Sequence, residues 1–264
     1  MAINITKIID VIKIFFFFIR ISYIVISVNH TNTFLIIPGN PPASFYYDLW
    51  CKELKGIYPE YHFVSYAYPI QRSQNSKDYI SEIVDFYAQL ILDRHADTPI
   101  TIVGHSVGGH IAYELLKRDE LSIRRSILIF PFFGKPRFVG KALLHVVSFI
   151  DRKKMIKKQL IKNKLLLSKI WKELENIKDD ELISSTRLAH HEKYFFKDFI
   201  FPKINSDQKD KVHLIYNLKD TWCTPKAINK LKNVMDSTHI DSVHDFIVFP
   251  KERMALSKLM KSFL

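Results

Sequence analysis

The chain has 264 residues, of which 47% are hydrophobic and 25% charged, so it can fill one large hydrophobic core and is not a disordered protein. Its 39 Lys and Arg outnumber its 27 Asp and Glu, and the formal net charge of +12 leaves three candidates: a nucleic-acid binder, a membrane-surface protein and an enzyme with a basic lid. Cys51 and Cys223 are too few for a disulfide framework or a zinc site, which favours a reducing, intracellular compartment.

The amino-terminal residues 11–27 are strongly apolar but do not have the pattern of a transmembrane helix. Lys13 and Arg20 bracket the run Ile14–Ile19, which is far shorter than the ~18 residues that a spanning helix needs. The β-branched and aromatic residues of this segment predict one or two buried strands. A peripheral membrane anchor is the alternative.

After this segment, short β-rich runs alternate with helical patterns. The predicted strands are Thr33–Ile37, His62–Tyr66, Ile100–Val103, Ser126–Phe130 and Val212–Tyr216. The segment Lys77–Leu92 has apolar residues at helical spacing and is a predicted helix between two of these strands. Such alternation is typical of an α/β fold with a mostly parallel central sheet flanked by helices.

The segment Thr98–Lys117 contains the first chemical motif. An apolar strand runs into Gly104-His105-Ser106-Val107-Gly108, and a helical pattern follows. This is the G-x-S-x-G nucleophile elbow, in which the serine occupies a tight turn between strand and helix and points its hydroxyl away from the sheet. Ser106 is therefore the predicted nucleophile, and an ordinary Gly-rich turn is the alternative interpretation.

The pattern changes between residues 135 and 205, which we predict to be a helical lid inserted between core segments 1–134 and 206–264. This insertion has seventeen Lys and Arg against eight Asp and Glu, so it carries most of the net positive charge. Its part Arg152–Lys172 has nine basic and no acidic residues, with apolar residues at helical spacing. A basic amphipathic helix that contacts an anionic surface is predicted here. A solvated helix whose lysines only keep the protein soluble is the alternative.

A serine nucleophile needs a histidine base and an acid that orients the histidine. Asp220 follows the late strand Val212–Tyr216, at the edge of the sheet where the elbow serine also lies, and is the predicted acid; Asp236 and Asp241 are alternatives. His239 and His244 are the histidines after Asp220, and His244, just before an apolar run, is the predicted base. His105 adjoins the nucleophile but is interpreted as structural.

An oxyanion hole requires two backbone N–H donors. The elbow supplies the N–H of Val107, the residue after the nucleophile. The second donor should come from the loop Pro38-Gly39-Asn40-Pro41-Pro42, in which the prolines have no N–H. Asn40 is preferred by position, Gly39 is the other donor available, and a plain Pro-rich turn is the alternative interpretation.

Four segments together resemble a known family. The segments IIPGNPPASFYYDLW, VGHSVGGHIAYELL, YNLKDTWCTP and HDFIV are similar, in this order, to the lipid droplet-associated hydrolase family of α/β-hydrolases. They cover about residues 33–130 and 212–249, whereas the insertion matches in position alone. Pro42 stands where the family usually has Gly, a residue that reaches backbone angles that proline cannot.

The resemblance implies an α/β-hydrolase fold with a lid, a Ser106-Asp220-His244 triad and association with lipid surfaces. We therefore expect an intracellular serine hydrolase that cleaves lipid esters, such as acyl or sterol esters, at a lipid droplet or endoplasmic-reticulum membrane, or in the cytosol. Neither a cofactor nor a metal is expected. A catalytically weak lipid-surface protein that keeps the fold is the alternative. Nucleic-acid binding through Arg152–Lys172 is disfavoured, because no groove-reading or base-stacking motif accompanies the charge.

Overall fold

The computed structural model describes residues 32–68, 79–96, 98–134, 136–151, 154–169, 172–196 and 204–264. The strands or membrane anchor predicted for residues 11–27 lie outside these ranges.

A parallel sheet forms the centre of the described structure. Its strands are β1 Thr33–Ile37, β2 His62–Ser65, β3 Ile100–His105, β4 Ile123–Ile129, β5 Val212–Tyr216 and β6 Asp236–His239. Within the described ranges the sheet has six strands in the order β2-β1-β3-β4-β5-β6, and every neighbouring pair is parallel. The predicted α/β fold class is confirmed, and five strands lie where the sequence predicts them to within a few residues.

Strand β6 was missed by the sequence pattern. Its residues DSTH are half-buried or exposed, so they do not form the apolar run that marks the other strands. An edge strand pairs on one side only, which makes such a polar sequence tolerable there. Strand β4 similarly begins three residues before the predicted Ser126, because the polar Arg124 and Arg125 are part of it.

Helices cover both faces of the sheet. Leu35 and Ile37 of β1 pack into one hydrophobic cluster, whereas Phe34 and Ile36 pack into another, as expected for side chains that alternate along a strand. The first cluster includes residues of helices α2 Tyr79–His95, α3 Val107–Leu116 and α9 Pro225–Lys232, and the second includes residues of α1 Ser44–Ile57 and α10 Pro250–Leu259.

The insertion between β4 and β5 contains helices α4 Phe138–Asp151, α5 Lys154–Lys162, α6 Lys164–Leu167 and α7 Asp179–Phe195, followed by α8 Ser206–Lys209. The basic amphipathic helix predicted over Arg152–Lys172 is instead divided, because α5 ends at Lys162 and α6 begins at Lys164. Asn163, between the two helices, has φ −105° and ψ 12°, and both its backbone N–H and its side-chain Nδ2 donate to the Gln159 carbonyl, at 3.0 and 2.8 Å. Across the described ranges, no helix is long and apolar enough to cross a membrane.

Candidate active site

Ser106 lies at the sharp turn between β3 and α3. Its backbone has φ 55° and ψ −121°, a conformation that side-chain-bearing residues rarely adopt, and it is held by the Ser106 N–H donating to the Ile129 carbonyl at 3.0 Å. Close packing explains two of the glycines, because a Cβ on Gly104 would collide with the Gly108 carbonyl and a Cβ on Gly108 with the Pro38 carbonyl. The strained turn is thus part of the local fold and places Ser106 at the carboxyl edge of the sheet.

The structure brings Ser106, His244 and Asp220 into one hydrogen-bonded chain. His244 Nε2 lies 3.0 Å from Ser106 Oγ, and His244 Nδ1 lies 3.0 Å from Asp220 Oδ2. The side chain of Asp220 is 2% exposed, and its other oxygen, Oδ1, accepts from the Trp222 N–H at 2.7 Å. A neutral His244 with its proton on Nδ1 satisfies both contacts, since Nδ1–H donates to Asp220 and Nε2 accepts from the Ser106 hydroxyl.

The alternative residues occupy other places. Asp236 begins β6 and is exposed, and the exposed Asp241 lies 3.7 Å from Lys219 Nζ. His239 is also exposed, with its ring against Tyr216. The Asn217 side chain links the loop that carries Asp220 to the loop that carries His244, because its Nδ2 donates to the Ser242 carbonyl at 2.7 Å.

His105 is buried and links three segments around Ser106. Its Nδ1 lies 2.6 Å from the Tyr47 hydroxyl, and its Nε2 lies 2.9 Å from the backbone carbonyl of His244. Burial, with a smaller contribution from the neighbouring His244, holds the pKa of His105 well below its usual value. A neutral ring with its proton on Nε2 accepts from Tyr47 and donates to His244, so His105 fixes the backbone of that residue. This arrangement agrees with the structural role predicted for His105.

The two predicted oxyanion donors flank Ser106. Val107 is the first residue of α3, so its N–H has no acceptor inside that helix. The N–H of Gly39, the alternative donor, already donates to the Tyr47 hydroxyl at 2.7 Å. In the described part of the chain, no acceptor is found for the backbone N–H of Asn40. Of the two loop residues, Asn40 is therefore the one with a backbone N–H to offer.

A cavity of about 20 Å³ adjoins Ser106. Its walls on the core side are Asn40, Ser106, Phe132 and Trp222, and its walls on the insertion side are Leu144, Val147, Ser185, Ala189 and Glu192. Such a volume holds about one water molecule.

The sequence interpretation missed Glu192 and Tyr47. Glu192 is 3% exposed on α7, and burial raises its pKa to about 7. It stands in the polar run His190-His191-Glu192-Lys193, which looks like a solvated surface, so no local signal identifies it. Tyr47 is one aromatic residue of an amphipathic helix, and its hydroxyl contacts become visible only in the fold. Among the described residues, no group of three or more His, Cys, Asp or Glu side chains could hold a metal ion.

The parallel sheet, the elbow and the order of the strands define an α/β-hydrolase fold. Solved structures with this fold resemble the chain along most of its length. The RedJ thioesterase of the prodiginine biosynthetic pathway from Streptomyces coelicolor is 15% identical, with 90% of this chain and 88% of that chain covered and a TM-score of 0.62. The esterase EaEST from Exiguobacterium antarcticum is 15% identical, with coverages of 88% and 91% and a TM-score of 0.58. A lipase-esterase related protein from Clostridium acetobutylicum is 16% identical, with coverages of 89% and 95% and a TM-score of 0.57.

At these identities the likeness establishes the common fold. The family follows from the sequence itself, since the model of the lipid-droplet associated hydrolases matches residues 30–248. The chain belongs to this family of hydrolases, and the resemblance stated from the four segments is confirmed. No curated protein matches the sequence significantly.

Proposed function

We propose that the protein is a serine hydrolase that cleaves carboxylic esters of lipids by acyl transfer. The observation that carries this proposal is the hydrogen-bonded chain from Ser106 Oγ through His244 to the buried Asp220, built on a strained elbow at the carboxyl edge of the sheet. A serine hydroxyl becomes nucleophilic when a positioned base removes its proton, and these contacts meet that need.

In the proposed mechanism, His244 Nε2 takes the Ser106 proton while Oγ attacks the ester carbonyl. The N–H groups of Val107 and Asn40 donate to the resulting oxyanion. As the tetrahedral intermediate collapses, the imidazolium returns its proton to the departing alcohol, leaving an acyl group on Ser106. A water molecule, deprotonated by His244, then releases the carboxylic acid, and Asp220 stabilises the imidazolium in both halves of the reaction.

The walls of the cavity favour an apolar acyl group as the substrate portion next to Ser106. Phe132, Leu144, Val147 and Ala189 contribute aliphatic or aromatic surface. The cavity of about 20 Å³ is too small for an acyl chain, so substrate entry requires that α4 or α7 moves. This supports the proposal that residues 135–205 act as a lid. The names esterase, lipase-esterase related protein and thioesterase, borne by similar structures, also suit an acyl-transfer reaction.

Helices α5 and α6 are proposed to contact the lipid surface. Leu165 and Leu166 are 67% and 62% exposed at α6, and the exposed lysines around them are Lys158, Lys162 and Lys169. Exposed leucines between basic residues suit an interface that has acyl chains below anionic head groups. Lys164 has another role, because its Nζ lies 2.6 Å from Asp179 Oδ1 and donates to the Ile177 carbonyl at 3.1 Å. The proposed site of action is an intracellular lipid droplet or the endoplasmic-reticulum membrane.

A fluorophosphonate probe tests the hydrolase proposal directly, because it reacts with an activated serine and leaves a stable adduct. We expect stoichiometric labelling of the peptide that contains Ser106, located by mass spectrometry, together with release of acid from a lipid ester. A folded protein that binds lipid vesicles but neither reacts with the probe nor releases acid would instead be the catalytically weak lipid-surface protein.

A further inference from the structure

A second buried carboxyl group lies beside Ser106, outside the chain formed by Ser106, His244 and Asp220. Glu192 of α7 is 3% exposed and lines the same cavity as Ser106. Burying a carboxyl group costs free energy unless hydrogen bonds compensate it. For Glu192, the Asn40 side chain provides such a hydrogen bond, because its Nδ2 donates to Glu192 Oε2 at 2.9 Å.

The Asn40 side chain is held at both ends of its amide. Ser185 Oγ donates to Asn40 Oδ1 at 2.6 Å, and Asn40 Nδ2 also donates to the Ser185 carbonyl at 3.3 Å. Ser185 is 2% exposed. Because residues seven apart lie two turns apart on one helix face, Ser185 and Glu192 hold Asn40 between them from the same side of α7.

The same loop is fixed to the core on its other side. Pro38 accepts a hydrogen bond from the Tyr68 hydroxyl through its carbonyl, and the Gly39 N–H donates to Tyr47. Core contacts thus fix the chain up to Gly39, and α7 fixes the side chain of the next residue. The peptide N–H of Asn40 lies between these two attachments.

We propose that Glu192 and Ser185 are positioning residues for oxyanion stabilisation, which hold Asn40 so that its backbone N–H points toward the oxygen developing next to Ser106. The inference rests on the proposed function, because it takes the Asn40 N–H to be an oxyanion donor. It gives the inserted helix α7 a part in the reaction, since the oxyanion site is complete only while α7 holds Asn40.

The test compares two glutamates of α7 that both bond to the core. Glu181 Oε1 accepts from the Ser44 N–H at 3.2 Å, and Glu181 is 6% exposed, but it does not line the cavity beside Ser106. With a short soluble ester as substrate, Glu192→Ala should lower kcat about 10-fold to 100-fold, less than the loss of a whole oxyanion donor, and change KM little. Glu181→Ala should leave kcat within about threefold of the wild type, although both variants lose a bond between α7 and the core.

Two further variants separate positioning from folding. Glu192→Gln keeps an acceptor oxygen for Asn40 and should recover most of the lost kcat. Ser185→Ala removes a smaller group and should also lower kcat. It replaces Glu192→Ala in the test if that variant does not fold. In two-dimensional NMR, the backbone amide signal of Asn40 should shift in Glu192→Ala and Ser185→Ala but not in Glu181→Ala.

The failure of this inference differs from the failure of the proposed function. An inactive wild type that does not react with fluorophosphonate overturns both. An active wild type in which Glu192→Ala and Glu181→Ala reduce kcat equally, or in which the Asn40 amide signal stays unchanged in Glu192→Ala, overturns the positioning role alone.

Discussion

The two sides of the cavity beside Ser106 are held in place by different forces. On the core side, Ser106 directly follows β3, and Asn40 and Trp222 lie in the loops after β1 and β5, so their backbone is attached to the parallel sheet. On the insertion side, α4 and α7 are outside the sheet. Four of their apolar side chains pack into the first hydrophobic cluster, namely Leu144, Val147, Leu188 and Ala189. Glu192 and Glu181 of α7 also accept hydrogen bonds from the first loop and from α1. Ser106 can therefore stay in place when the insertion moves, whereas the Asn40 side chain keeps its hydrogen bonds only while α7 lies against the first loop.

Loss of the nucleophile should have the largest effect. Because Ser106 alone has the elbow around it, Ser106→Ala should abolish fluorophosphonate labelling and lower kcat by about 10⁴-fold or more. The matched control is Ser44→Ala, at the start of α1, which should keep its labelling and turnover. Stoichiometric labelling that persists in Ser106→Ala would assign the nucleophile to another residue.

Loss of the acid should be nearly as severe. Asp220→Asn is expected to lower kcat about 10⁴-fold, because an amide favours the wrong tautomer of the histidine, with little change in the unfolding midpoint. Asp236→Asn and Asp241→Asn, which change exposed carboxylates, should each stay within a few-fold of the wild type. A severe loss in either of these controls would remove Asp220 from the proposed triad.

The pH dependence of kcat/KM tests the base. His244 must be neutral to accept the Ser106 proton, so hydrolysis of a soluble ester should fall at least tenfold as the pH drops from about 8 to about 5. The measurement needs a parallel unfolding curve at each pH, so that loss of structure is separated from protonation. A rate that stays constant over this interval contradicts a histidine base.

Vesicle binding tests the insertion side. Lys158→Glu, Lys162→Glu and Lys169→Glu together should reduce sedimentation with anionic vesicles at least tenfold, since each basic residue near such a surface contributes about 1 kcal/mol. The matched control reverses Lys226, Lys251 and Lys258, exposed lysines of α9 and α10. Both triple variants should hydrolyse a short soluble ester at the wild-type rate. Equal loss of binding in the two would mean that net charge, and not α5 and α6, directs the protein to the surface.

The apolar part of this interface has its own test. Leu165→Ser with Leu166→Ser should weaken vesicle binding by a factor that persists in high salt, because salt does not screen apolar burial. The contribution of the lysines to vesicle binding should vanish in high salt.

The smallest effect concerns stability. Because the folded state holds the pKa of Glu192 at about 7, above the ordinary value of 4.5, the folded chain binds more protons than the unfolded chain between these pH values. The stability contributed by protonated Glu192 is therefore lost as the pH rises through about 7. Glu192→Gln has no carboxyl group to titrate at this position. The difference between its unfolding temperature and that of the wild type, variant minus wild type, should therefore increase by several degrees from pH 5 to pH 8.

The buried His105 has the opposite effect on the pH dependence of stability. Its lowered pKa makes the unfolded state bind more protons below about pH 6.5, so the protein loses stability on acidification. This contribution is common to the wild type and Glu192→Gln and cancels in the difference of their midpoints. A difference that stays constant with pH would contradict a raised pKa at Glu192.

Local sequence was sufficient for much of the core. Strands β1 and β5 have the predicted bounds because parallel strands buried on both faces are continuous apolar runs, and the elbow is recognisable because its glycines are required by close backbone packing. Order along the chain then pointed to Asp220 and His244, since parallel strands end at one edge of the sheet. Where the pattern was weak, as at the polar edge strand β6, sequence reasoning failed.

The insertion depends on contacts that no sequence pattern reveals. Helical periodicity predicted a helix over Arg152–Lys172, but α5 ends at Lys162 and α6 begins at Lys164, with the non-helical backbone of Asn163 between them. Lys164 has the same charge as its neighbours, yet its ion pair with Asp179 gives it a different role. Five of the six described strands, the elbow and the family were predictable from the sequence, because they depend on local patterns and on the order of the strands. The tertiary structure decided which polar groups are buried and paired, as at Glu192 and Asn40, because contacts between residues about 150 positions apart leave no local pattern.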